Sequence, residues 1–225
     1  GSLIIRRGAI AYNQRDVAPR SGVFSPQHIR VSEFSSHILL NHVTDNSIDL
    51  LLKKLSFKDE SGFKLQSLHF KLQADRQKAT LREFRLLMPR SELVLDDLKA
   101  TYRFEGKKFN PASLHFEGGI QQSKITFADV ASLVPAFRHF DDAVFVSSRF
   151  SGTDKSISVP SLNLRTGSGS INLQARGSYS HASSHPAWSA DIANLNLSPA
   201  GVEFLAENLG SKVKIPKEIL RLGTI

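Results

Sequence analysis

Apolar and polar side chains change places at almost every step through much of this chain. In residues 91–106, SELVLDDLKATYRFEG, Leu93 and Leu95 alternate with Val94 and Asp96. Leu98, Ala100, Tyr102 and Phe104 then alternate with Lys99, Thr101, Arg103 and Glu105. The same beat recurs at Leu68/Phe70/Leu72, Phe84/Leu86, Leu114/Phe116, Ile125/Phe127, Ile157/Val159, Leu162/Leu164 and Ile171/Leu173/Ala175. A period of two puts one set of side chains on each face of a strand, and a polar alternate set marks an antiparallel, half-buried strand. Turn signals fall between the runs: DESG at 59–62, PRS at 89–91, Asp96-Asp97, Gly118-Gly119, GTD at 152–154 and GSG at 167–169. The pattern predicts a mainly all-β chain, a long antiparallel meander of hairpins.

Three stretches break the beat. Over 128–140, Val130, Leu133, Val134 and Phe137 fall at helical spacing, with Asp129 as the N-cap and Pro135 keeping the helix short. Over 198–210, Ser198 caps, Pro199 suits the first helical position and Gly210 the stop. A third helix is predicted over 216–222. Strands precede a short helix twice, at 114–127 and 171–197, which makes a faint repeat. After Phe140 charge thins and Ser and Gly increase, so two segments are expected, 3–140 and 141–225, or one continuous sheet with a change of character.

The 225 residues are 40% hydrophobic, enough for a sizeable core, and no apolar run approaches the roughly 18 residues of a membrane span. Gly1-Ser2 reads as a cloning remnant and the chain as a piece of a longer protein. Cysteine is absent, so disulfides, thiolate metal sites and cysteine nucleophiles are excluded together. The formal charge is +8, with basic residues scattered as doublets such as Arg6-Arg7 and Lys107-Lys108, the pattern of a solvated outer face.

Candidate chemistry is sparse. Gly167-Ser168-Gly169 lacks the strand–glycine–helix setting of a phosphate loop. His181 and His185 are four apart but lie in a Ser-rich stretch running into Pro186. Asp59-Glu60, Asp96-Asp97 and Asp141-Asp142 are adjacent acids in turns, which favours turn formation over acid–base work. The aromatics of Tyr102-Arg103-Phe104 and of 145–150 follow the inward alternation, so a nucleic-acid face is not expected. No cofactor, metal or catalytic residue is assigned, and the chain reads as non-enzymatic.

The remaining question is what covers the oily face. FSPQHIRV at 24–31, LSFKDESGFKL at 55–65, MPRSEL at 88–93, FADVASLVPAF at 127–137 and VSSRFSG at 146–152 are together similar to the amino-terminal half of TamB-like proteins, the translocation-and-assembly-module group of the AsmA-like family. The resemblance spans most of 3–225 and consists of strand-and-turn patterns. It implies a periplasmic segment, anchored to the inner membrane by a helix outside this chain, whose sheet curls into a half-pipe with an apolar inner surface. It also implies a role in outer-membrane biogenesis, through phospholipid transfer or outer-membrane protein assembly with a BamA-like partner. Leu93, Leu95, Ala100, Tyr102, Phe104, Leu162, Leu164, Ile171 and Leu173 would then line a groove for phospholipid acyl chains. The rival is a closed β-sandwich in which the helices plug the oily face and a protein partner binds by strand addition.

Overall fold

In the computed structural model the described residues are 1–14, 22–135, 137, 142–181 and 186–203. They form twelve strands: β1 Ser2–Asn13, β2 His28–Val43, β3 Ile48–Asp59, β4 Lys64–Ala74, β5 Lys78–Leu87, β6 Glu92–Val94, β7 Leu98–Glu105, β8 Lys108–Thr126, β9 Ala143–Thr153, β10 Ser156–Thr166, β11 Ile171–Ser180 and β12 Ala187–Leu197. All belong to one antiparallel sheet whose strands follow one another in sequence order, with β6 and β7 sharing one place, as the period-two pattern predicts. The sheet runs without a break across residue 140, because β8 pairs with β9 from His115↔Thr153 to Thr126↔Ala143.

β6 and β7 are two halves of one interrupted strand. Both lie between β5 and β8. The predicted turn at Asp96-Asp97 is therefore a kink in the strand path, still tied by Leu95 N to Phe84 O at 3.2 Å and by Asp96 N to Gly119 O at 2.9 Å. The predicted turn at Gly118-Gly119 is corrected outright. Both glycines sit inside the 19-residue β8, where a Cβ on Gly118 would collide with Leu98 and one on Gly119 with Asp96. Glycine here makes room for neighbouring side chains rather than reversing the chain.

Register shifts interrupt nine of the strand pairs. Arg7, Glu33 and Glu83, at φ 52, 52 and 54, sit at three of these shifts in the left-handed region. Each bulge bends its strand and adds twist, which curls so long a sheet.

Alternate hairpins place the chain reversals at two opposite rims. At one rim lies α1, Phe127–Val130, a single helical turn followed by turns to residue 135. Asp129 is not its N-cap. That position is Thr126, without a side-chain cap. Asp129 instead reaches the β5–β6 turn, accepting from Arg90 N at 2.8 Å and from Ser91 Oγ at 2.6 Å. A second helical turn, over 199–203, starts at the same rim, where Gly201 N donates to Ser198 Oγ at 3.2 Å as the predicted cap requires. The remainder of that helix, the helix expected over 216–222 and His185 lie outside the described residues.

Among the described residues the buried large apolar side chains are Leu52, Leu65, Met88, Phe127 and Ile171. Four of the five belong to the rim that carries α1. One sheet with end caps accounts for that distribution of buried side chains.

Candidate functional site: the apolar face of the sheet

Strand register assembles the site. Reading directly paired residues across the sheet gives Val43, Ile48, Ala74, Ala79, Ala100, Phe116, Gly152, Ile157, Tyr179 and Trp188, from β2 to β12. The row one residue away gives His42, Asp49, Gln73, Thr80, Lys99, Glu117, Ser151, Ser158, Ser178 and Ser189. The first row holds no polar side chain apart from the Tyr179 hydroxyl and the Trp188 indole, and the second holds no apolar one. Because successive side chains point to opposite faces, the sheet has one oily and one polar surface along its length. Ten strands at their usual spacing extend the oily row for about 43 Å.

The nine groove residues named from the sequence share this oily face. Leu164 pairs with Val146 and Leu173, and Leu173 with Leu195. Leu162 lies opposite Ala175 and Leu93 opposite Leu86, while Leu95 bridges to Ile120. Ala100 stands between Ala79 and Phe116. Tyr102 and Phe104 form an edge-on cluster with Phe109, with centroids 5.7 to 6.0 Å apart. Tyr102 Oη donates to the carbonyl of Asp75 at 2.8 Å, and burial, then the nearby Asp75 charge, raises its pKa. Ile171 differs from the rest. It is 6% exposed and lies at the helical rim, so it belongs to the core.

The same face carries residues that periodicity did not single out as lining. Phe70 and Phe84 stack at 6.4 Å in the row between Leu52 and Leu95. Phe116 lies over Gly152, and Leu98 and Phe150 meet over Gly118. Phe145 corrects the inward reading of 145–150. It pairs with Lys124 and Arg165, lies on the polar face, and is covered by the Arg165 guanidinium 4.7 Å from its ring centre.

The polar face is laced with ion pairs: Lys58–Glu33 and Lys71–Glu83, both at 2.6 Å, and Lys99–Glu117 at 3.9 Å. The hydrogen bond from Lys71, then that from His69, lowers the Glu83 pKa. A hollow of about 910 Å³ on this face mixes Glu83, Asp97 and Glu117 with Arg85, Lys99 and Arg149. From β9 onward the polar face gains hydroxyls, as Ser151, Ser158, Ser178 and Ser189 show, while Arg149, Arg165 and the Arg176–Asp191 ion pair keep charge on it.

Of the paired acids, Asp59 and Asp142 serve turns. Asp59 Oδ2 accepts from Ser61 N at 2.9 Å, and Asp142 accepts from Ser168 Oγ at 2.6 Å and Ala143 N at 2.7 Å. Among the described residues no group of three or more His, Asp or Glu is placed to hold a metal, and no helix is long and apolar enough to cross a membrane. The arrangement offers an extended apolar surface, half-exposed over most of its area, backed by a water-compatible one.

Compared with known protein families, curated proteins and solved structures, the chain has no match.

Proposed function

We propose that this chain is a TamB-like periplasmic segment whose apolar face carries phospholipid acyl chains between membranes. The observation that supports it most is the pair of adjacent rows, ten oily positions backed by ten polar ones, with no second layer over the oily side among the described residues. A contiguous apolar area beyond a few hundred Å² marks an interaction surface. Acyl chains fit it by size and chemistry, because a leaflet's hydrocarbon is about 15 Å deep, well within a face about 43 Å long. Head groups stay in water at the rims. Transfer then needs no catalytic group, only a surface that lowers the free energy of acyl chains outside a bilayer. In this reading a helix beyond the chain anchors the protein to the inner membrane. A BamA-like outer-membrane partner, and outer-membrane protein clients, engage regions also outside the chain.

The test is detergent-free purification from a bacterial periplasm with phospholipid counted by mass spectrometry. The expected result is stoichiometric phospholipid, lost in Leu164→Asp or Leu173→Asp. Lipid at the level of a β-sandwich control overturns the proposal. A second reading, strand addition by a protein partner, draws support from the outer edges of β1 and β12, which pair with no strand among the described residues.

A further inference from the structure

The β7–β8 hairpin outruns its neighbours. β5 begins at Lys78, opposite Thr101, and β9 ends at Thr153, opposite His115. Past those points β7 and β8 pair only with each other, at Arg103↔Asn110, Phe104↔Phe109 and Glu105↔Lys108. The tip closes at Gly106, whose φ of 61 suits a tight reversal. It stands about 10 Å beyond the adjacent strands.

An isolated two-stranded hairpin is marginal, so something must hold this one. Arg76 does so from the β4–β5 turn. Its guanidinium donates to the Gly106 carbonyl and lies 5.1 Å from the centre of the Phe104 ring. The tip is thus a braced element that keeps two aromatic rings partly in solvent: Phe104 is 36% and Phe109 39% exposed. Arg103 and Lys108 flank them in sequence on the reverse face of the hairpin and Lys107 lies in the turn, against one acid, Glu105, whose carboxylate accepts from Asn110 Nδ2 at 2.7 Å. Neither Lys107 nor Lys108 makes an ion pair among the described residues.

We propose that this hairpin tip docks on the surface of an anionic bilayer and delivers lipid to the apolar face. Aromatic rings favour the head-group region, and cations beside them favour anionic head groups. The tip suits a bilayer better than a protein, because a stable protein interface needs about 800 Å² per partner and three residue pairs present far less. Tyr102, Ala100 and Leu98 continue the oily face directly behind the tip, so an acyl chain leaving the bilayer there meets no polar barrier. This inference rests on the acyl-chain reading of that face.

The test is co-sedimentation of the full chain with phosphatidylglycerol-containing vesicles and with pure phosphatidylcholine vesicles, at low and high salt. Binding is expected only to the first, weakened by salt. Lys107→Gln with Lys108→Gln should weaken it on the order of 30-fold at low salt, and the double Arg variant should restore it. Phe104→Ser with Phe109→Ser should weaken it at both salts. Failure of the wild-type chain to bind, or unchanged binding by the double Gln variant, overturns the proposal. Co-purifying phospholipid, counted on the same preparations, separates the two claims. Vesicle binding without co-purified lipid supports the docking tip while contradicting the acyl-chain reading.

Discussion

At one rim of the sheet the oily face runs into α1 and a second helical turn; at the other it runs into bare hairpin tips. Both rims are built from the same alternating strands, yet their side chains have different fates. At the helical rim Phe127 is buried with its ring 4.9 Å from that of Phe137, and Leu65, Met88 and Ile171 are buried with it. Polar ties hold the cap down: Ser91 Oγ donates to Asp129, and Thr126 N donates to Ser91 Oγ at 2.8 Å. At the open rim Val43, Phe104, Ile157, Tyr179 and Trp188 remain exposed. Burial is therefore concentrated at one end of the strands, and exposed apolar surface at the other.

That division breaks first at Phe127. Phe127→Ala should lower stability by about 3–5 kcal/mol, whereas Phe104→Ala at the open rim should cost less than about half of that. Equal losses in thermal unfolding would erase the contrast. Next in size, Ser91→Ala should cost about 1–3 kcal/mol in urea unfolding, because it removes one of the two hydrogen bonds to the nearly buried Asp129 carboxylate and the Ser91 Oγ acceptor of the Thr126 amide.

Acid should loosen the helical rim at Asp142, as it should the open rim at Asp75. Burial alone would raise the Asp142 pKa, but hydrogen bonds from Ser168, Ala143 and Gly167 lower it on balance. A folded-state value below the unfolded one gives stability that is present above the ordinary aspartate value of 3.8 and is lost as pH falls through the folded value. Unfolding midpoints should therefore fall on that acid limb, and Asp142→Asn should flatten it. The smallest effect is expected at Trp188. It is 76% exposed, so Trp188→Ala should stay within about 0.5 kcal/mol of the parent.

Alternation in the sequence was enough to find the meander and to put Leu93, Leu95, Leu162, Leu164 and Leu173 on one face. A strand covered on one side leaves that mark for a local physical reason. What escaped was non-local. Gly118-Gly119 looks like a turn until Leu98 and Phe150 are seen to fill the space above it. Phe145 looks inward because an aromatic among apolar residues usually is, and only its pairing with Arg165 shows otherwise. Asp129 reads as a cap, but its partner is a turn 38 residues away. Bulges such as the one between Ile120 and Ser123 insert a residue without any compositional signal. Periodicity predicts an oily face and is silent on what lies over it.

The central claim is that the oily face, and not its polar reverse, meets acyl chains. Leu164 and Asn163 are neighbours on β10 that point to opposite sides. A photo-crosslinking amino acid placed at each in turn, in the periplasm, tests that claim directly. A phospholipid adduct is expected from position 164 and none from position 163. Equal adducts at both positions, or none at position 164, would contradict it.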